Sequence, residues 1–503
     1  MSDSNDSEEE PFVGDDIALI KKSSNYSQDE KHSMRLKREL NFLHGISIVV
    51  GIVIGAGIFA TPSVILKHSG SVGVSFLIWL ACGILSILTA LCYIELGCMI
   101  GKSGSEYAYL REAFGSTASY VWFFAMAFIL KPASNSMVSM VMGHYIIEAF
   151  YPECSYADRE SHAKILALLA LAIIGAINSL SVRLSANVTV VFTGAKLVGV
   201  IIISLVGIIR LFQGHTFAFQ HAFSGRNVDF TDIGYSFYGG LFAFDGWHNI
   251  NMALEELKNP RKNLRLCLIC GLFLITTCYL TVNVGYLTVM TPGEMIASSA
   301  VAANVSNRLF GAVKWIIPII VACSCFGSMN GGAFATSRLF YVAARSKEMP
   351  IVCAMIHRKW RTPIPAVLIN TILSMAMLAP KTSNFASLLK YNGFLSWLFY
   401  GVTIFALLWL RYTKASMKRP YKVFIGIPIL VLVVCLYLFV SAVARHVLQS
   451  CIALLIVLCS VPIHLVFVRY KLAPKWMERM IESGSYSLQL LLDLSLPDVQ
   501  DST

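Results

Sequence analysis

The sequence predicts an all-α integral membrane protein with 12 transmembrane helices, and three observations support this class. Of the 503 residues, 56% are hydrophobic and only 14% are charged. The mean hydropathy of +0.66 is too high for a soluble globular protein. Apolar runs of about 20 residues, the length that crosses a bilayer, recur along the chain. Two of these runs are interrupted by clustered glycines, which predicts helices that are broken inside the membrane.

The apolar runs give 12 predicted spans, numbered here in chain order. They are 43–66, 73–97, 118–150, 163–180, 187–212, 231–254, 266–290, 314–343, 364–380, 385–410, 423–443 and 449–469. Spans one to five make a first group of five helices, residues 42–212, and spans six to ten make a second, residues 231–410. Residues 423–469 hold the last two spans. We expect residues 1–41 to be a disordered cytoplasmic tail and residues 470–503 to be a cytoplasmic tail with amphipathic stretches, lying on the membrane or docked on the protein.

The distribution of basic residues predicts the orientation of the chain. The net charge is +11, which alone is compatible with a nucleic-acid partner. With an even number of spans both termini share one side, and the tails, loops and adjoining span ends of that side hold 28 of the 40 Lys and Arg residues. The positive-inside rule makes this side the cytoplasm. The basic excess is therefore a topology signal, and we expect membrane lipid rather than nucleic acid around this protein.

Span one carries a helix-breaking stretch at its centre. Residues 51–59 read Gly-Ile-Val-Ile-Gly-Ala-Gly-Ile-Phe and lead to Pro62. Glycine in a helix interior is less favourable than alanine by up to about 1 kcal/mol. Irregular backbone at membrane depth is tolerated only where it is buried in protein or lines a wet cavity. The stretch predicts a ligand site, with close helix packing through Gly51 and Gly55 as the alternative.

Span six contains the second broken stretch, residues 238–249, in which glycines accompany Asp245 and His248. Spans one and six are the first members of the two groups of five. Corresponding breaks in two halves of a chain are typical of a transporter site between inverted repeats. The sequence therefore favours a carrier.

Two lysines, Lys131 and Lys196, fall deep inside predicted spans. Lys196 in span five lies between Gly194 and Gly199. A lysine at that depth costs about 2.5–3.5 kcal/mol on the insertion scale, so it requires polar partners. Lys131 in span three precedes Pro132, and it either helps to shape a site or extends to the outer surface.

Span eight and the cysteines leave alternatives open. Residues 324–332 are small and polar in mid-membrane, and they either line the site or pack tightly. Most of the 13 cysteines lie in apolar runs as small core residues, so we expect no metal site and no cofactor. Cys154 lies in an outer loop and predicts either a disulfide to another chain or a free thiol. No nucleophile and general base have a spacing typical of catalysis, so we do not expect this protein to be an enzyme.

Five motifs, in order, resemble those of the light subunits of the heteromeric amino-acid transporters, in the amino acid, polyamine and organocation superfamily. They are Ile54–Phe59, Tyr93–Gly97, Lys102–Tyr107, Phe242–Trp247 and Ser324–Gly331. Within that family the chain is similar to the broad-specificity subunit that pairs with the rBAT glycoprotein, and to its aromatic-preferring relative. Residues 178–184 and 397–401 carry this likeness.

The resemblance implies a LeuT-like fold of two inverted five-helix repeats plus two extra helices. It implies a sodium-independent obligatory exchanger of amino acids in the plasma membrane, with both termini cytoplasmic. It further implies that Cys154 bridges to a single-span glycoprotein heavy subunit, that Lys196 takes the place of a sodium ion, and that Phe242 is an aromatic gate.

The two breaks suggest how an amino acid is bound. Exposed N–H groups around Ala56 and Gly57 favour the carboxylate. Free carbonyls at residues 242–244 accept from the ammonium group. The predicted substrate-binding residues are Val53, Gly55, Ala56, Gly57, Phe242, Ala243, Phe244, Asp245, His248 and Ser396.

Three departures from the relatives bear on substrate choice. Ile52 and Ala56 stand where hydroxyl residues are common, and His248 stands where Asn often follows the tryptophan. Fewer hydroxyls predict a more apolar pocket for large neutral and aromatic amino acids. The alternative is exchange of cationic amino acids and cystine for neutral ones, with Asp245 attracting the cationic side chain. Three further alternatives remain open. The carboxylate of Asp245 could be hydrogen-bonded to nearby backbone N–H groups, and His248 could be a neutral, packed side chain. The protein could also be a channel or receptor-like membrane protein with an amino-acid site.

Overall fold

The structure, a computed structural model, is almost entirely helical where it describes the chain. The described residues are 41–101, 104–151, 156–252, 257–380, 384–445, 447–470, 472 and 474–495. The N-terminal tail and Cys154, both subjects of predictions above, lie outside them.

The helices are numbered in chain order. The first group is α1 Phe42–Val53, α2 Gly57–Ala60, α3 Pro62–Ser69, α4 Val72–Ile100, α5 Glu106–Phe114, α6 Ser116–Ala125, α7 Lys131–Phe150, α8 Tyr156–Leu180 and α9 Val182–Phe212. The second group is α10 Phe230–Ala243, α11 Asn249–Met252, α12 Pro260–Val289, α13 Pro292–Ala297, α14 Val301–Leu309, α15 Ile316–Arg345, α16 Ile364–Leu378 and α17 Phe385–Thr413. The last group is α18 Gly426–Arg445, α19 Val447–Leu458, α20 Ser460–Ile463 and α21 Lys475–Leu491.

Short elements complete the architecture. Two π-helical turns, Met126–Leu130 and His464–Arg469, continue α6 and α20. Three 3-10 turns are Phe217–Phe219, Gly311–Val313 and Ile351–Ala354. The strands β1 (Ile356–His357) and β2 (Leu494–Ser495) pair antiparallel, with Ile356 opposite Ser495.

Ten helical segments of the described chain are long and apolar enough to cross a membrane. They coincide with ten of the predicted spans. Predicted spans six and nine are not among them. The helix of span six stops at Ala243 after 14 residues, and α16 has only 15 residues.

The first broken helix ends where its glycines begin. An Asn41–His44 capping box starts α1. Helical geometry is lost at Ile54, whose ψ is 86°, and it resumes at Gly57. Residues 54–56 are therefore non-helical backbone surrounded by protein.

The second broken helix has a turn of five residues, 244–248, between α10 and α11. Gly246 adopts a φ of +100°, a left-handed conformation that a side chain disfavours. A Cβ at Gly246 would also lie 2.7 Å from Cγ2 of Ile52. This turn requires glycine both for its backbone conformation and for its contact with the other break.

The two breaks are in direct contact. A Cβ on Gly57 would lie 2.4 Å from the Cα of Ala243, so only glycine allows this approach. The hydroxyl of Tyr279 on α12 lies 2.9 Å from the carbonyl oxygens of both Val53 and Ala243. These are the last residues of α1 and α10, so one hydroxyl spans both helix ends.

Two buried polar clusters connect distant helices. Asn330 on α15 accepts from Asn178 on α8 at 2.8 Å and donates to Thr189 on α9 at 2.9 Å. Glu95 on α4 is fully buried. It accepts two hydrogen bonds from Arg411 on α17 and one from the backbone N–H of Val423 at 2.7 Å. Both clusters fix how the helices around the breaks pack.

The C-terminal segment docks on the protein. Leu494 in β2 is 1% exposed, and the N–H of Arg358 donates to the carbonyl of Asp493 at 3.1 Å. Of the two alternatives for this segment, the structure favours docking for its end.

Candidate functional site

A cavity of about 380 Å³ lies where the two broken helices meet. Its walls come from both breaks and from α7, α9 and α15. A cavity of this size is large enough for a small organic molecule. The predicted residues that line it are Val53, Gly55, Ala56, Gly57, Lys131, Lys196, Phe242 and Asp245.

Four predicted site residues lie elsewhere. Ala243 and Phe244 are buried beside the cavity and are not part of its lining. The ring of Phe244 packs against Tyr279, with 5.0 Å between ring centroids. His248 and Ser396 line a second, smaller cavity that shares Asp245 and Lys131 with the first.

The first break provides backbone donors at the cavity wall. In the described chain, the N–H groups of Gly55 and Ala56 donate to no backbone carbonyl. Buried donors without partners are rare, because each one forfeits a hydrogen bond that it made with water. These two N–H groups are suited to an anionic ligand.

Lys196 reaches the other side of the same break. Its side chain is 2% exposed, and Nζ donates to the carbonyl oxygen of Gly51. In an unbroken helix this oxygen would accept from the N–H of Gly55. Because α1 ends at Val53, the carbonyl is available to the lysine. The break and the buried cation therefore stabilise each other.

Lys131 lies at the junction of the π-helical turn and α7, half-buried on the wall of both cavities. Asp245 places a charge of the opposite sign on the same two walls. The cavity therefore presents fixed charges of both signs.

Asp245 belongs to a hydrogen-bonded chain. Its side chain is 35% exposed, and its Oδ1 accepts from the hydroxyl of Tyr400 at 2.8 Å. The same hydroxyl lies 2.9 Å from Nδ1 of His248. Tyr400 has one proton and gives it to the carboxylate, so Nδ1 of His248 is assigned as the donor to Tyr400.

The small polar stretch of α15 has both roles that its composition suggested. Gly327, Ser328 and Met329 line the central cavity. On another face, a Cβ at Gly327 would lie 2.8 Å from the Cβ of Phe192 on α9. Small residues therefore serve lining and close packing in one segment.

The cysteines form no site in the described chain. No disulfide joins any two of the 12 described cysteines. Cys267 and Cys270 have a C-x-x-C spacing within α12, but Cys267 is buried against α1 and donates to the carbonyl of Phe42 at 3.4 Å. Among the described residues, no group of three His, Cys, Asp or Glu side chains is placed to hold a metal ion.

Sequence reasoning missed the two tyrosines that organise the site, Tyr279 and Tyr400. Both lie in apolar runs, where a tyrosine is usually a packed core residue. Tyr279 is 226 positions from one of its partners, Val53, and no spacing signal connects them. Tyr400 lies inside a stretch that carried the family likeness, residues 397–401, and that is the only signal that draws attention to it.

Apolar helices of spanning length around two broken helices and a charged cavity define a membrane permease. Residues 40–462 match the amino acid permease family. A cystine/glutamate transporter of Homo sapiens is 38% identical over 464 residues, 92% of each chain. A b(0,+)-type amino acid transporter 1 of Mus musculus is 39% identical over 479 residues, 94% of this chain and 97% of that protein. A large neutral amino acids transporter small subunit 2 of Homo sapiens is 35% identical over 468 residues, 92% of this chain and 87% of that protein.

The chain belongs to the amino acid permease family and, within it, to the light subunits of heteromeric amino-acid transporters. The resemblance read from the motifs is confirmed. The protein is an amino-acid transporter of the membrane and not an enzyme.

Proposed function

We propose that this protein is a sodium-independent exchanger of neutral L-amino acids, above all large and aromatic ones, in the plasma membrane. The observation that carries the proposal is the contact between the two breaks at a cavity where Lys196 donates to the carbonyl of Gly51. A fixed ammonium at that carbonyl occupies the place that a sodium ion would need. Transport by such a site requires no sodium gradient.

The proposed architecture has 12 spans, with residues 42–212 and 231–410 as inverted five-helix repeats and residues 423–469 as two added helices. The pair α10 and α11 makes span six, broken at its centre, and α16 makes span nine. In support, the breaks occur in the first helix of each half and meet at the cavity.

The substrate's common groups bind at the breaks. The N–H groups of Gly55 and Ala56, which lack backbone partners in the described chain, bind the carboxylate. The substrate ammonium binds carbonyl oxygen near Phe242, on the opposite break. A carbonyl has two lone pairs, so one already engaged within the protein can accept a second donor.

The side chain of the substrate is selected by the rest of the wall. Ile52, Val53, Val138 and Phe242 contribute apolar surface. The ring of Phe242 packs edge-on against Phe385, with centroids 5.8 Å apart, and is placed to act as the proposed aromatic gate. Large apolar side chains gain most from such a wall.

The alternative is exchange of cationic amino acids and cystine for neutral ones. The half-buried carboxylate of Asp245 favours this function, because it presents a negative charge to the cavity. Lys131 on the same wall would accept an anionic group. Two of the similar proteins are named for cystine/glutamate and b(0,+)-type transport.

We further propose a single-span glycoprotein heavy subunit, of the rBAT type or a relative, linked through Cys154, with both termini of this chain cytoplasmic. The position of Cys154 in a predicted outer loop supports the link. Replacing Cys154 by serine is expected to remove a reducible heterodimer band on non-reducing gels.

The function is tested by co-expressing the chain with each type of heavy subunit and measuring uptake of leucine, tyrosine, arginine, cystine and glutamate. Leucine and tyrosine uptake without sodium, and efflux that depends on external amino acid, are expected. Efflux without external amino acid would indicate a channel. Uptake of glutamate alone would contradict the proposal.

A further inference from the structure

Beside the substrate cavity lies a second cavity of about 30 Å³. Asp245 and Lys131 belong to both cavities, while Glu106 and His248 belong only to the smaller one. A volume of this size is sufficient for one water molecule and too small for an amino acid. The small cavity therefore adjoins the substrate cavity and shares the charged residues Lys131 and Asp245 with it.

Glu106 is an unusual residue for this position. It is the first residue of α5 and is 1% exposed. The hydroxyl of Tyr93 donates to Oε1 at 3.1 Å, while Oε2 has no hydrogen-bond partner among the described residues. A buried carboxylate requires a compensating charge or donor, because burial removes its hydration. Within the described chain, Glu106 has one neutral donor at Oε1 and none at Oε2.

His248 lines the same cavity, and one of its ring nitrogens has no partner among the described residues. Its side chain is 1% exposed, and Nδ1 is assigned as the donor to Tyr400. That assignment leaves Nε2 as a lone-pair acceptor in the neutral ring. Nε2 has no partner within the described chain. Glu106 and His248 thus line one small cavity, and each has a buried acceptor without a partner among the described residues.

We propose that His248 and Glu106 form a proton-binding site, which holds one exchangeable proton taken from solvent, directly or through one water. Binding adds one positive charge: the imidazole becomes an imidazolium, and Nε2–H becomes a donor toward the carboxylate of Glu106. The proton satisfies both acceptors at once and neutralises the buried carboxylate.

The other charged and titratable groups around the cavity explain why the proton binds at this pair. Asp245 already accepts from Tyr400, and Tyr93 already donates to Glu106. The ammonium group of Lys131 has donors and no acceptor. Histidine is the side chain whose charge changes between about pH 5 and pH 8.

The site is coupled to the substrate through Asp245, and this step rests on the function proposed above. Nδ1 of His248 lies 3.9 Å from Oδ1 of Asp245. A protonated ring therefore offsets the negative field that Asp245 presents to the substrate cavity, whereas a neutral ring leaves it. The bound proton supplies the positive charge that a cationic substrate side chain would otherwise place near Asp245. Low pH therefore weakens the binding of cationic substrates and does not weaken the binding of neutral ones.

The test uses the full chain with its heavy subunit in vesicles of equal pH on both sides. Leucine uptake is measured from pH 5.5 to 8 with arginine as competitor. Wild type is expected to need at least about fivefold more arginine for half-inhibition at pH 5.5 than at pH 7.5, the low end of ordinary site–site coupling. In the variants Glu106→Gln and His248→Asn, the arginine concentration for half-inhibition is expected to change little between pH 7.5 and pH 5.5. Each variant is compared with its own value at pH 7.5.

His464→Asn is the matched control, because His464 is also a buried histidine but contacts Tyr120, away from this cavity. It is expected to keep the wild-type dependence. A flat wild-type profile would overturn the proton site, as would an unchanged profile in Glu106→Gln and His248→Asn. Absence of wild-type leucine uptake at every pH would instead contradict the proposed function, so the two failures are distinct.

Discussion

Lys196 shows how one residue and one backbone defect depend on each other. The break after Val53 exposes the carbonyl of Gly51, and the lysine supplies the donor that this carbonyl lost. Neither part is favourable alone. An unpartnered lysine at this depth is costly, and an unpartnered carbonyl in a membrane is costly as well.

Replacing Lys196 by alanine is expected to abolish exchange while the protein still reaches the cell surface. The variant leaves the Gly51 carbonyl without its donor and empties the place of the fixed cation. Leucine uptake and surface biotinylation measure the two effects. Lys67→Ala, on an exposed side chain, is the control. Normal flux in the Lys196 variant would refute the assigned role.

Replacing Tyr400 by phenylalanine is expected to destabilise the site. The variant removes the donor to Asp245 and the acceptor of His248. A hydrogen bond to a charged group is worth about 1.5–3 kcal/mol. Thermal unfolding in detergent measures the loss, with Tyr391→Phe on a more exposed ring as control. Equal melting temperatures in the two variants would contradict this prediction.

At the scale of elements, the contact between the breaks makes Gly57 irreplaceable. Gly57→Ala places a Cβ 2.4 Å from the Cα of Ala243, a backbone atom that moves only if the helices separate. We expect exchange to fall at least about tenfold, because small displacements at a reacting or binding geometry have large effects.

Gly194→Ala in α9 is the matched control, because a Cβ there meets nothing within 4 Å. Alanine in a helix interior is favoured over glycine by up to about 1 kcal/mol, so that variant is expected to be as stable as wild type or more so. Uptake assays compare the transport activity of Gly57→Ala with that of Gly194→Ala. Comparable activity would show that the breaks tolerate separation.

The elements also show what sequence reasoning reaches. Glycine clusters predicted both breaks, because several glycines close together weaken a helix at the depth where it most needs its backbone hydrogen bonds. The cost of a buried lysine likewise predicted that Lys196 has partners. The contacts of Tyr279 and Tyr400 could not be predicted, because a tyrosine in an apolar run carries no pattern. The burial of Glu106 was missed for a related reason: a glutamate in a polar loop predicts exposure, and only packing reveals otherwise.

At the scale of the molecule, Glu95 joins three parts of the chain: α4, α17 and the segment before α18. Because Glu95 and Arg411 are both largely buried, breaking the pair leaves an uncompensated charge. We expect Glu95→Gln to lower the free energy of unfolding by about 3–5 kcal/mol. Thermal unfolding in detergent measures this.

Glu294→Gln is the control for that experiment. Glu294 also pairs with an arginine, Arg308 at 2.5 Å, but both side chains are more than two-fifths exposed. Exposed ion pairs contribute little to stability. A similar loss in both variants would show that burial is not the source of the Glu95 effect.

The single hydroxyl of Tyr279 bears on how strictly the uptake of one amino acid is coupled to the release of another. It has one O–H donor for two carbonyl oxygens, those of Val53 and Ala243, and both oxygens lie within hydrogen-bond distance of it. Tyr279 therefore contacts the ends of both half-helices, and we expect this contact to hold back an empty carrier from reorienting. Tyr279→Phe is expected to introduce slippage: labelled leucine would escape from loaded vesicles into buffer containing no amino acid, while wild-type vesicles would retain it.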